Sequence, residues 1–200
     1  MVSKLLLAVQ ETFYRAVDAN MNDSILEKLK TYYYEIREGI GSHKSPDLYG
    51  AFPTDPYSHT PGNSGVQQPG MTGQVKEDII SRFGELGVRV CDGKIKFNTD
   101  LLNKDEFLTR SQVFCFYDVN GKQQTLMLNA GMLAFTICQV PVIYINAKGR
   151  KIIITKRDGS EEEIAGHEMD TSLSKSIFQR EDRIWKIQVL IDILSERELC

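Results

Sequence analysis

A helix start with free backbone donors is the clearest chemical feature of this sequence. Within Gly70 to Gln74, Thr72 and Gly73 begin a predicted helix that runs to about Leu86. Thr72 suits the N-cap position, and Gly73 lets a ligand approach the unpaired N–H groups of the first turn. The helix dipole favours an anion there, so Thr72, Gly73 and Gln74 are predicted to contact phosphate or a carboxylate. The same pattern also fits a threonine that only caps the helix.

The segment before this helix carries side chains that suit a sugar. Residues 39–73 contain seven of the 15 glycines, five of the six prolines and two of the three histidines. A segment this long without helix or strand periodicity is either a linker or a functional loop, and its interleaved aromatic residues favour an ordered loop. Asp55, Tyr57 and His59 offer planar hydrogen-bonding groups and an aromatic face, which are the groups that hold sugars.

No complete catalytic set follows from the residues. Asp47, Asp55 and Asp78 are carboxylates near the predicted loop, but the sequence gives no distance between them, so the catalytic residues stay unassigned. The four cysteines lie far apart without histidines at ligand spacing, which argues against a metal site. No dinucleotide, P-loop or serine-nucleophile motif occurs, and no cofactor is expected. Three cysteines in apolar, strand-like runs are predicted core residues, with a disulfide as the alternative: Cys91, Cys115 and Cys138.

The elements that would position these residues begin with two antiparallel helices over residues 4–38. Apolar residues in the first follow helical spacing, and the second opens with Ser24 three residues before Glu27, a capping box. Gly39 and Gly41 end the second helix. Both helices have apolar stripes that a pair cannot bury alone, so we expect them to pack on further helices.

From Val88 onward the periodicity changes from helical to alternating. Three hairpins are predicted, with turns at 92–93, 120–121 and 158–159, because each turn reads Asp-Gly or Asn-Gly. Further strands are predicted at 135–139, 140–145, 176–179 and 184–193, the last also compatible with a helix. The fold class is therefore α+β. A helical domain of residues 1–87, including the loop at 39–73, precedes an antiparallel β-sandwich or jelly roll of residues 88–200.

The net charge and the short length of the apolar runs limit the kinds of partner that we expect for this chain. The chain has 24 Lys and Arg against 27 Asp and Glu, a net charge of -3, which argues against nucleic acid. The apolar run from Leu5 to Val9 is too short for a signal peptide or a membrane span, so no membrane partner is expected. The cellular location stays open.

Several short motifs occur in a distinctive order over about residues 25–100. They are Asp55-Pro-Tyr57, the Thr72-Gly73 helix start, Phe83 to Gly87, and Asp92 to Phe97 at the entry to the β domain. This order resembles the C-terminal portion of inverting disaccharide phosphorylases such as cellobiose and chitobiose phosphorylases. In that family an (α/α)6 toroid carries the active site, a two-layer jelly roll follows, and a Thr-Gly pair contacts phosphate. The family's Glu is Asp55 here, and Met71 lies close to the position of its Trp.

The resemblance implies a carbohydrate-active protein with an oligosaccharide and phosphate as ligands. It assigns phosphate contacts to Thr72 and Gly73, and places Asp55, Pro56 and Tyr57 in the preceding active-site loop. Because few toroid helices are predicted, the chain is expected to be a C-terminal fragment whose partner is the missing N-terminal toroid portion. The parent would be a glycoside hydrolase or phosphorylase, and this chain alone would be inactive. The alternative is a noncatalytic β-sandwich module that binds carbohydrate or braces a neighbouring domain.

Overall fold

The computed structural model describes residues 2–39 and 72–192 of the chain. The chain divides into two compact units, residues 1–84 and residues 85–200. The first unit is helical in its described part, and the second consists mainly of strands. The fold is therefore α+β.

The helical unit contains α1 (Val2–Asp18), α2 (Asp23–Gly39) and α3 (Thr72–Glu85). A short turn joins α1 to α2 and passes through Asn20, whose φ is 50°. The capping of α2 differs from the prediction, because the side chain of Asn22 accepts a hydrogen bond from the Ile25 backbone N–H at 3.0 Å. Ser24 therefore lies inside the first turn, and the predicted capping box that begins at Ser24 is wrong.

The three helices meet around a buried glutamine. The amide of Gln10 on α1 donates to the Tyr33 hydroxyl on α2 (3.2 Å) and to the Ser81 carbonyl on α3 (2.8 Å). One turn later, the Tyr14 hydroxyl donates to the Gly84 carbonyl at 2.6 Å. Both contacts to α3 lie in the last turn and a half of that helix.

The described part of the second unit holds nine strands in three sheets. Two of the sheets are hairpins, β1–β2 and β3–β4, and the third has five strands in the order β5-β6-β9-β7-β8. The predicted turns at 92–93, 120–121 and 158–159 all join paired strands. The strands are β1 (Val88–Cys91), β2 (Lys94–Phe97), β3 (Gln112–Tyr117), β4 (Gln123–Leu128), β5 (Met132–Ile137), β6 (Val140–Asn146), β7 (Lys151–Lys156), β8 (Glu161–Ala165) and β9 (Ile184–Ile191).

Every strand pair is antiparallel except β6 with β9, which is parallel. β9 separates the β5–β6 hairpin from the β7–β8 hairpin and pairs with one strand of each. The ambiguous apolar segment near the C-terminal end of the described chain is thus a strand and the centre of the sheet. Residues of β9 and of its two neighbours, β6 and β7, are fully buried: Val142, Tyr144, Ile152, Ile154, Ile187 and Val189.

A helix replaces one predicted strand. Residues 176–179 were expected to be a strand, but α4 (Thr171–Phe178) occupies most of them. Asp170 caps this helix by accepting a hydrogen bond from the Leu173 N–H at 2.7 Å. Ser174 and Ile177 lie about one helical turn apart and are both buried. One face of the helix therefore packs inward, in place of the alternating burial that a strand would show.

Aromatic contacts connect the two hairpins to the large sheet. The rings of Phe97 on β2 and Tyr144 on β6 lie 6.0 Å apart, and so do those of Phe116 on β3 and Trp185 on β9. The cysteines do not pack as predicted. Cys115 is exposed, and Cys138 lies in the β5–β6 turn with a φ of 47°.

Candidate functional site

The sequence-predicted site residues fall into two groups. Asp55, Tyr57 and His59 lie outside the described residues. Thr72, Gly73 and Gln74 form the first turn of α3, so the predicted helix start is confirmed. Whether that turn binds an anion stays a prediction.

The first turn of α3 follows directly after residues 40–71, which lie outside the described part of the chain. The contacts of α3 with α1 are made further along the helix, at Ser81 and Gly84. A ligand held by the first turn of α3 would therefore bind at the start of this helix, before these contacts.

Buried oxygen atoms without partners occupy the interior of the helical unit. Within residues 2–39 and 72–192, no hydrogen-bond partner reaches Ser3 Oγ, Glu77 Oε2 or Ser81 Oγ. Glu77 is only 5% exposed and Ser3 and Ser81 are 3% exposed. We call these three residues the unpaired polar cluster. Buried polar atoms in folded proteins are nearly always paired, so such a cluster requires an explanation.

Helix geometry relates this cluster to the start of α3. Gly73 and Glu77 are four residues apart and share one face of α3, and helical side chains lean toward the N-terminus of their helix. The Glu77 carboxyl group therefore extends over the turn that contains Gly73. Ser81 follows one turn later on the same face. On α1, Ser3 lies about two turns before Gln10.

These oxygen atoms have a definite chemical capacity. A carboxyl oxygen and two hydroxyl groups can accept hydrogen bonds, and the hydroxyl groups can also donate them. Each buried group left unpaired costs about 1–3 kcal/mol, which a ligand that supplies hydroxyl groups would recover. Backbone N–H groups in the first turn of α3 add donors for an oxygen-rich or anionic group.

A second candidate site is a cavity in the β unit, which we call the β cavity. Its volume is about 420 Å³. Residues from the end of β2, the β6–β7 loop, the β8–α4 segment and the end of β9 line it. They are Phe97, Asn98, Thr99, Asp100, Gly149, Arg150, His167, Ile191 and Asp192.

His167 has a defined protonation state in this cavity. Its Nε2 lies 2.7 Å from the Leu190 carbonyl oxygen, which can only accept, so Nε2 carries the proton. Burial lowers the pKa of the imidazole and the charge of Arg150 lowers it further, although the bond to Leu190 acts in the opposite direction. The ring is therefore neutral at physiological pH, and Nδ1 keeps a lone pair that can accept a hydrogen bond.

A groove of about 590 Å³, separate from the β cavity, lies near α4. Its charged residues are committed to structural contacts. Lys156 pairs with Glu162 at 3.0 Å and Arg157 pairs with Asp182 at 2.6 Å. Asp170 caps α4. These contacts hold the charged side chains of the groove in place.

The Arg157 side chain belongs to a structural network beside this groove. Its guanidinium group lies 4.6 Å from the centre of the Trp185 ring and also pairs with Asp118 at 3.4 Å. Asp118 accepts hydrogen bonds from the Asn120 and Lys122 backbone N–H groups, which fixes the β3–β4 turn. This network holds the hairpin against the large sheet.

Comparison with known proteins gives no assignment: no family model matches the chain, and no curated protein is significantly similar to it. In the described part of the chain, no helix is both long and apolar enough to cross a membrane. No cluster of three or more potential metal ligands occurs among residues 2–39 and 72–192. The two candidate sites are therefore argued from their own chemistry.

Proposed function

We propose that this chain is the C-terminal part of a carbohydrate-active protein of the glycoside hydrolase or phosphorylase type. Its helical unit would be a piece of an (α/α) toroid, and its β unit a sandwich related to a jelly roll. The helical unit would supply one wall of a sugar and phosphate site at the start of α3. The unpaired Oε2 of Glu77, one turn after Gly73, is the observation that carries this proposal.

The chemistry of a sugar matches the unpaired polar cluster. Each hydroxyl group of a sugar can donate to Glu77 and exchange hydrogen bonds with Ser3 or Ser81. The N–H groups of Gly73 and Gln74 would bind phosphate or a sugar oxygen. Asp55, Tyr57 and His59 precede α3 in the sequence, and we propose that they complete the wall.

Exposed apolar side chains on the same helices support a larger helical assembly. Leu5 is 53% exposed on α1, and Ile79 and Ile80 are 54% and 45% exposed on α3. The missing toroid portion would cover such side chains, because helices with apolar faces pack on one another. The catalytic acid would lie in that portion, so the chain alone should turn over no disaccharide with or without phosphate.

The proposal is tested by titrating the purified chain with cellobiose and, separately, with inorganic phosphate, followed by backbone amide NMR. Cellobiose should shift the amides of α3 near Gly73 and Glu77. Glu77→Gln should weaken cellobiose binding about tenfold, since a hydrogen bond to a charged group is lost. Glu11→Gln, an exposed change on α1, is the matched control and should bind as the original chain does. Gly73→Val should weaken phosphate binding, because its side chain blocks the first turn.

Two results would overturn the proposal. One is cellobiose binding that is equal in Glu77→Gln and Glu11→Gln, and the other is a set of α3 amides that respond to neither ligand. Shifts confined to residues 85–192 would instead favour the alternative, a noncatalytic β module that binds carbohydrate. Turnover of a disaccharide by the pure chain would exclude the expected dependence on a missing acid.

A further inference from the structure

We propose that the β cavity is a separate binding site for a neutral, polyhydroxylated ligand such as a saccharide. The site lies wholly within the β unit and does not depend on the proposed role of α3. Its chemical basis is a set of planar polar side chains among the lining residues: Asn98, Asp100, Arg150, His167 and Asp192.

His167 is the acceptor with the best-defined geometry. The Leu190 carbonyl holds Nε2 at 2.7 Å and so orients the ring. With the proton on Nε2, Nδ1 accepts a hydrogen bond and cannot donate one. A sugar hydroxyl group satisfies that requirement because it is a donor, whereas phosphate or a carboxylate offers mainly acceptors at neutral pH. Sequence analysis gave His167 no role.

Asn98 and Asp100 form a second oriented pair. The Asn98 side-chain amide donates to Asp100 Oδ2 at 2.9 Å, and the Asp100 backbone N–H donates to Asn98 Oδ1 at 3.1 Å. These reciprocal bonds hold both planar groups in position directly after β2. A wall that is ordered before binding loses little side-chain entropy when the ligand enters.

The lining carries charges of both signs: the carboxylates of Asp100 and Asp192 and the guanidinium group of Arg150. A neutral polyol suits such a lining, because it can accept a hydrogen bond from Arg150 and donate one to His167 Nδ1. The volume of about 420 Å³ falls within the range of small-molecule sites.

The test titrates the full chain with D-glucose and cellobiose as neutral probes, and with sodium phosphate and sodium acetate as anionic probes. We expect both saccharides to shift the His167 ring resonances and the amides of Asn98 and Asp100. Arg150→Ala should weaken saccharide binding about tenfold through one lost charge-assisted hydrogen bond. Arg110→Ala, another exposed arginine and not part of the cavity wall, should leave binding unchanged.

A second variant addresses the acceptor directly. His167→Phe removes both ring nitrogens, so the saccharide-induced shifts at Asn98 and Asp100 should be lost. If this variant does not fold, Arg150→Ala and the shifts in the unaltered chain still decide the matter. The proposal is overturned if neither saccharide moves the His167 resonances, if Arg150→Ala and Arg110→Ala bind alike, or if only phosphate and acetate bind. Loss of the α3 response with the β-cavity response intact would refute the proposed function alone.

Discussion

The hydroxyl group of Tyr144, in the middle of β6, donates a hydrogen bond to the backbone carbonyl of Leu86, the first residue after α3. Tyr144 is fully buried, and its ring meets those of Phe97 and Phe135 edge to face at 6.0 and 5.2 Å. One side chain thus fixes the entry segment of the β unit, hairpin β1–β2 and strand β5 to the central part of the large sheet.

Removing this hydroxyl group should destabilise the β unit. Tyr144→Phe keeps the ring contacts but leaves the Leu86 carbonyl without its tyrosine donor, so the free energy of unfolding should fall by about 1–3 kcal/mol. Urea denaturation followed by the fluorescence of Trp185, the single tryptophan, measures this change. Tyr117→Phe, at a site that is 61% exposed, should change the free energy of unfolding little. Equal stability of the two variants would contradict the structural role of Tyr144.

The close approach of α1 and α3 depends on Gly84. A Cβ atom at this position would lie 2.1 Å from Gln10 Oε1, so Gly84→Ala must displace the amide that joins the three helices. We expect a loss of about 1–3 kcal/mol, larger than the helix-propensity gain of about 1 kcal/mol. Thermal unfolding followed by circular dichroism at the helix band measures it.

A double-mutant cycle separates the clash from other effects. In a Gln10→Ala background the same Gly84→Ala change should be neutral or stabilising, because the clashing group is gone. Gly39→Ala is the control, since a Cβ there would meet no heavy atom within 4 Å. Additive effects of Gln10→Ala and Gly84→Ala would show that the two residues are not coupled.

Glu168 should make stability depend on pH in the acid range. Hydrogen bonds from Lys94 (2.7 Å) and Lys96 (2.8 Å) lower the pKa of its carboxyl group from 4.5 to about 2. The folded chain therefore binds this proton less readily than the unfolded chain, so the stabilisation is complete above pH 4.5 and is lost as the pH falls toward 2. Glu168→Gln should flatten this part of the stability profile, and added salt should weaken the effect in the original chain.

Carboxyl NMR titration of Glu168 checks the shift directly. Glu163→Gln provides the comparison, because the Glu163 carboxyl group pairs with Lys151 at 2.7 Å and its side chain is 61% exposed. The two variants should differ most between pH 4.5 and 2. A Glu168 carboxyl group that titrates at its ordinary pKa would refute the prediction.

Asp118 should be the residue on which the β3–β4 turn depends. Burial raises the pKa of its carboxyl group, but hydrogen bonds from Gln124, Lys122, Asn120 and Arg157 outweigh burial and lower it. Asp118→Asn replaces an acceptor with a group that also donates, so these donors cannot all be satisfied. The melting temperature should fall well below that of the exposed control Asp105→Asn, and hydrogen exchange should accelerate at the Lys122 amide. Unchanged exchange there would contradict this role.

Local signals in the sequence predicted the elements that depend on local chemistry. The Asp-Gly and Asn-Gly pairs marked three hairpin turns because glycine adopts positive φ without strain. The β5–β6 turn escaped detection since its two central residues, Cys138 and Gln139, have φ values of 47° and 69° without glycine. Tertiary packing selects that conformation, and no residue type near the turn predicts it.

The same distinction applies to the candidate sites. The helix start at Thr72 is a local pattern and was found. The sequence did not predict the β cavity, because Asn98, Arg150 and His167 are far apart along the chain and come together only through strand pairing. The lack of a partner at Glu77 Oε2 likewise depends on burial of this side chain, which spacing along one helix does not reveal.

The position of β9 has a consequence for how the chain is made. Both local hairpins of the large sheet, β5–β6 and β7–β8, are complete by Ala165, but β9 begins only at Ile184. During synthesis, the two hairpins can therefore form before β9 has been made. Until then, β6 and β7 each have one edge without the strand that pairs with it in the folded sheet. Open strand edges pair readily with other chains, so this interval of synthesis is the one most exposed to misassembly. When β9 emerges, it closes both edges at once.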